Sequence, residues 1–173
     1  IIIDEVFPFE TSLFRYNEFN SYYASFERIK VYTTGWALAL LSPGGNIRKV
    51  VREYKLKFPG REIGIFNPHR AVKASLAYCL FLNNTFWLLD YFEDNNLPFA
   101  FCLYPGGGFS LTSAESEMMI RKIVASRMFK RVIVTQNVTK KYLLEKEICP
   151  EERISFIYGV VSSGTDTAFA IDK

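Results

Sequence analysis

The sequence predicts an α/β domain in three layers, with a mainly parallel sheet of about seven strands between helices. Two observations carry this. Short apolar runs recur along all 173 residues, mostly separated by stretches long enough for crossover helices. Several runs are nearly continuous in apolar residues instead of alternating, as strands covered on both faces require. The candidates are Ile1–Val6, Ile29–Thr34, Glu62–Phe66, Leu76–Leu82, Phe99–Tyr104, Arg131–Gln136 and Arg153–Tyr158. The βαβ alternation over the whole length is Rossmann-like, and the length suits one domain with a sizeable core.

The stretches between strands supply the helices. Tyr16, Phe19, Tyr23 and Phe26 step by three, four and three, which draws one apolar stripe on a helix. Phe86, Leu89 and Phe92 draw a shorter one, closed by the turn residues of Glu93–Pro98. Ser42–Asn46 reads as a turn into the basic helix Ile47–Phe58, and Asn137 as a helix cap. Asn67–Ser75 is a short connection that leaves a helix undecided. Residues 1–161 are read as the domain and 162–173 as a linker or tail. The chain opens without Met on an apolar strand, which reads as an excised piece of a longer protein.

Composition narrows the classes. At 49% hydrophobic and 16% aromatic the chain is too apolar for disorder, and a net charge of +3 is mild. Charge is uneven, however. Arg121, Lys122, Arg127, Lys130, Arg131, Lys140, Lys141 and Lys146 face a single acid, Glu145, within their stretch. Such a field attracts phosphates or an anionic membrane surface, although each member also reads as part of a solvated helix face. Nucleic acid is not expected, because aromatics interleave poorly there and no binding motif is present. Cys79 and Cys102 lie in apolar runs, Cys149 completes an odd number without a CxxC pair, and His69 is the lone histidine. These suit core thiols in a reducing compartment and no metal cluster. No apolar run approaches the ~20 residues of a membrane span and no signal peptide is seen. The expected location is cytoplasmic, with the basic stretch as a peripheral contact to the inner membrane face.

The chemistry-bearing feature is Pro105-Gly106-Gly107-Gly108-Phe109, directly after a strand and before a helix start. Thr112 and Glu115 have capping-box spacing. Ligands of open α/β sheets bind outside the carboxyl ends of strands, where free amides and a helix dipole favour anions. Glycines there either make a tight bend or let a ligand approach the main chain. The loop is not a Walker motif or GxGxxG, and it does not follow the first strand, so NAD is disfavoured and no cofactor is expected. The loop after the first strand lies at the same edge and brings Glu10, Thr11, Ser12 and Arg15 toward Gly106–Phe109. Those residue types suit a sugar or its phosphate, with Thr11 or Ser12 alternatively a plain N-cap. Arg15 is the expected charged contact. His69 follows the third strand and is either a surface residue or a ligand-edge group.

Ser126–Val161 resembles the end of the N-terminal domain of retaining GT-B-fold glycosyltransferases of family 4. The matching pieces are Val132–Gln136, Tyr142–Lys146, Pro150–Ile154 and Tyr158-Gly159-Val160, and Leu103–Phe109 is similar to a subgroup of that family. In pattern the similarity spans almost the whole chain. The resemblance implies an enzyme of two Rossmann-like domains, acceptor on the N-terminal one and nucleotide sugar on the C-terminal one. Transfer would occur in the cleft between them, without a bound metal. The acceptor would be a glycan or a lipid-linked acceptor. In place of the histidine many members carry after the fifth strand, this chain has Tyr104-Pro105, so no catalytic residue is carried over. The donor domain is absent from the sequence, and the chain alone is expected to be inactive. Two other readings stand beside this: a non-catalytic glycan-binding module or regulatory subunit that pairs with a separate catalytic chain, and a small phosphate-ester hydrolase using His69.

Overall fold

The structure, a computed structural model, describes residues 1–10, 13–42 and 44–157. Thr11, Ser12, the Tyr158-Gly159-Val160 match and the tail 162–173 lie outside the described residues. All seven expected strands form: β1 (Ile2–Asp4), β2 (Lys30–Thr33), β3 (Glu62–Ile65), β4 (Ala77–Leu80), β5 (Phe99–Leu103), β6 (Phe129–Val134) and β7 (Ile154–Phe156). They make one sheet, ordered β3-β2-β1-β4-β5-β6-β7, in which every pairing is parallel. The helices are α1 (Leu13–Ser25), α2 (Leu38–Leu41), α3 (Ile47–Lys57), α4 (Leu82–Trp87), α5 (Leu89–Asp94), α6 (Ala114–Ala125) and α7 (Asn137–Glu145).

The near-continuous apolar strands feed two cores, one on each face. Ile3, Cys79, Phe99 and Phe101 point into a core completed by Phe92, Ile120, Ile123 and Leu143 from α5, α6 and α7. Their neighbours Ile2, Leu80 and Cys102 point the other way, onto Phe19 of α1 and Val51 and Tyr54 of α3. The period-2 geometry of a strand sends successive side chains to opposite faces, so a strand with two buried faces must be apolar throughout.

Several local expectations are corrected. The stripe on α1 is rotated: Arg15, Glu18 and Phe19 are the buried residues, Tyr16 and Tyr23 are half-buried, and Phe26 lies exposed beyond the helix end. The cap of α6 is Ser113, whose side chain accepts from the Ser116 amide at 3.2 Å. Thr112 sits one residue early, its hydroxyl 3.3 Å from that of Ser110. Asn137 is the first residue of α7, which follows Gln136 and has no side-chain cap. Residues 67–76 cross from β3 to β4 without a helix, the Asn67 side chain closing a turn onto the His69 amide. The turn before α3 forms as expected, with Asn46 capping the amides of Arg48 and Lys49.

The basic stretch does not form a continuous unpaired field. Acids outside its window neutralise part of it. Glu117 pairs with Arg121 at 2.9 Å and Lys146 at 3.7 Å, and Glu151 with Lys140 at 2.7 Å. Arg127 reaches Asn96. Among the described residues, no helix is long and apolar enough to cross a membrane.

Candidate binding crevice at the switch point

The strand order reverses between β1 and β4, which are neighbours although α1, β2, α2, α3 and β3 lie between them in the chain. In such sheets the loops leaving the two strands part in opposite directions and open a crevice at their carboxyl ends. Asn84, buried at the start of α4, fastens this junction. Its side-chain amide donates to the carbonyl of Ile3 on β1 (3.3 Å) and of Leu80 on β4 (3.2 Å). Two carbonyl partners fix which end of the amide is nitrogen, and its oxygen is left buried with no partner among the described residues.

Above Asn84 lies a crevice of about 350 Å³. Glu5 follows β1, Trp36, Ala37 and Leu40 follow β2, Asn83 and Trp87 belong to α4, and Gly107 follows β5. The two indole rings stand 5.5 Å apart at 53°. They are not core residues: Trp36 is 45% exposed, Trp87 72% and Leu40 85%. Both tryptophans of the chain are therefore at one crevice.

The charges below the crevice form a compact group. The Asp4 carboxylate accepts the amides of Val6 (2.9 Å) and Phe7 (2.7 Å), which sets the turn after β1. Arg15, reaching in from α1, lies 3.6 Å from Asp4 and donates to Glu5 at 2.9 Å. Its guanidinium also rests 4.6 Å over the Phe81 ring. Burial pushes the Glu5 carboxyl above the usual range, and the Arg15 charge pulls it partly back. Two carboxylates share one guanidinium, so the group carries no surplus positive charge for a phosphate. Arg15 thus serves to hold Glu5 in place. Next to it, Glu18 is buried and accepts from the hydroxyls of Tyr22 (2.6 Å) and Tyr78 (3.2 Å), and burial raises its pKa too.

The triple glycine answers to geometry. Gly106, Gly107 and Gly108 all have positive φ, at 89°, 55° and 85°. A Cβ on Gly107 would lie 2.5 Å from the Phe81 side chain. Phe81 itself has φ 69° and ψ 151°, a conformation almost reserved for glycine. It is held there by Phe14, Tyr104 and Arg15 against its ring and by its amide donating to Cys102. The loop therefore folds down on Phe81, and the Gly107 carbonyl accepts the amide of Asn83 at 2.9 Å. Bend and close approach are both needed, and together they place Asn83 at the crevice.

The sequence-selected residues divide. Gly107 and the neighbouring Gly108 border the crevice, the latter against Asn83. Phe109 turns away: it packs on Tyr142 at 6.2 Å and anchors the loop in the core. Glu10 lines a different depression, with Pro8, Tyr16 and Tyr54, and is ion-paired to Lys57 at 3.1 Å. Ser12 is outside the described residues. His69 is exposed after β3. The three cysteines are buried and unpaired, and burial pushes Cys102 up to about 12 and Cys149 to about 11. Trp36, Asn83, Asn84 and Trp87 were missed by sequence reasoning. The available signal was position: "NNTFW" follows one strand and "TGW" another at the carboxyl edge. Comparisons with protein-family models, curated proteins and solved structures find no match to this chain.

Proposed function

We propose that this domain is the acceptor-side half of a retaining GT-B glycosyltransferase, which takes a sugar from a nucleotide-sugar donor held by a second domain. The observation that carries the reading is the crevice: two exposed indoles beside a carboxylate and a side-chain amide at the sheet's switch point. Indole faces suit the C–H face of a sugar ring, while the Glu5 carboxylate accepts a hydroxyl and the Asn83 side chain exchanges hydrogen bonds with another. Phosphate recognition then falls to the donor side, in keeping with the excess of carboxylate over guanidinium here. The resemblance of Ser126–Val161 to family 4 supports the same reading. The test is transfer by the full-length gene product, isolated from its own cells and given a panel of nucleotide sugars with glycan and lipid-linked acceptors. Product formation that falls at least tenfold in Trp87→Ala upholds the reading, and acceptors of unaltered mass with every donor refute it.

A second reading, a non-catalytic glycan-binding module, is favoured by the same indole pair, since Trp36 and Trp87 can hold a sugar ring without any reacting group. It predicts glycan binding by the full-length product without transfer.

A further inference from the structure

A second groove opens at the opposite, amino-terminal edge of the sheet, with a volume of about 550 Å³. Its floor is Tyr78, Ala100 and Ile133, side chains on the α1-side face of β4, β5 and β6, and its walls include Phe26 and Leu76. Phe26 is 59% exposed and Leu76 41%, so apolar surface faces water here. Strands of an all-parallel sheet normally have both faces covered, and α1 ends at Ser25 without covering this part.

Three cations border this apolar floor: Arg28, Lys130 and Arg131. The last two stand side by side because of an irregularity in β6. Phe99 pairs with Phe129, but the next residue, Ala100, pairs with Arg131, so Lys130 is an extra residue in the strand. Regular alternation would send Lys130 and Arg131 to opposite faces, whereas the bulge brings both to the groove. Among the described residues none of the three is ion-paired; Arg131 donates only to the Ser155 hydroxyl at 3.0 Å. The volume is within the range of about 300–1,000 Å³ typical of small-molecule sites.

From this arrangement we infer that the amino-edge groove binds a single-chain anionic amphiphile, its head group on Lys130, Arg131 and Arg28 and its hydrocarbon along Phe26, Leu76, Ala100 and Ile133. The head group is a carboxylate or a phosphate monoester, which share the negative charge and acceptor oxygens that paired cations hold. This site is independent of the crevice and of any transferase activity.

The test is calorimetric and NMR titration of the chain with octanoate, decanoate, laurate and dodecyl phosphate below their micelle concentrations. Saturable binding is expected, with amide shifts at Leu76, Ala100 and Ile133. Affinity should rise about two- to fourfold per added methylene, the upper figure being full burial. Laurate against dodecyl phosphate identifies the head group. Lys130→Glu with Arg131→Glu should weaken binding at least tenfold at unchanged melting temperature, with Lys130→Gln and Arg131→Gln as substitutes where that variant does not fold. Dodecyltrimethylammonium binding equally well, unchanged affinity in the charge variants, or no saturable binding overturns the inference. So does tight binding of an acidic amphipathic peptide when all four anionic amphiphiles fail, which makes the groove a protein surface.

Discussion

Replacing Gly107 with alanine tests how the glycine loop and Phe81 hold one another. Two costs are separable. The first is conformational: an L-residue in the left-handed region costs about 1–2 kcal/mol, and both Gly106 and Gly107 have positive φ. The second is steric and belongs to Gly107 alone, whose added Cβ would stand 2.5 Å from Phe81 while a Cβ on Gly106 meets nothing within 4 Å. Phe81 has little room to yield, with Phe14, Tyr104 and Arg15 around its ring. Overpacking at a confined site costs typically about 1–3 kcal/mol. Gly106→Ala should therefore lose about 1–2 kcal/mol and Gly107→Ala about 2–5 kcal/mol. For a domain of this size each kcal/mol moves Tm by about 2–4 °C, so a ~2 kcal/mol gap separates the variants by roughly 4–8 °C. Thermal unfolding followed by circular dichroism, with urea unfolding as a check, measures it. Equal destabilisation of the two variants would refute the claim that the loop is packed against Phe81.

Other consequences are as direct. Asn84→Ala leaves the Ile3 and Leu80 carbonyls without their side-chain donor and should lower stability by about 2–4 kcal/mol in urea unfolding with an unchanged m-value, and Asn84→Asp should cost at least as much because it sets a carboxylate against two carbonyls. Glu18 binds its proton more tightly folded than unfolded, so its share of stability is present at low pH and is lost as pH rises from about 4.3 through its raised value. Glu18→Gln should remove that share, and its Tm relative to the parent should climb across this window; a constant difference contradicts the assignment. The buried thiols of Cys79, Cys102 and Cys149 should resist an aromatic disulfide reagent at pH 8 and all react once guanidinium unfolds the chain, and rapid labelling of the native protein would show that the packing around them is wrong.

The strands were readable because a strand buried on both faces has a one-dimensional signature, and Phe99–Leu103 shows it without a break. The face of α1 was less readable. Tyr and Phe at helical spacing suggested the stripe, yet the helix turns its buried charges, Arg15 and Glu18, inward. Their partners Asp4, Glu5 and Tyr78 come from elsewhere in the chain, and no local periodicity can announce them. The same non-locality hid the crevice. Trp36 and Trp87 are 51 positions apart in sequence and meet only because β2 and β4 flank β1 in the sheet. Gly107, by contrast, was visible at once, since a run of three glycines after a strand demands unusual backbone.

The central claim is that the switch-point crevice holds a sugar, and its two indoles are the only tryptophans in the chain. Intrinsic tryptophan fluorescence therefore reports on this crevice alone. Titration with methyl glycosides of glucose, galactose, mannose and N-acetylglucosamine, in the parent and in Trp87→Ala, is the most direct measurement. The account predicts a saturable change for at least one glycoside, weakened at least tenfold in Trp87→Ala at an unchanged circular-dichroism spectrum. No saturable change with any of the four, or an equal response from Trp36 alone in the variant, would contradict it.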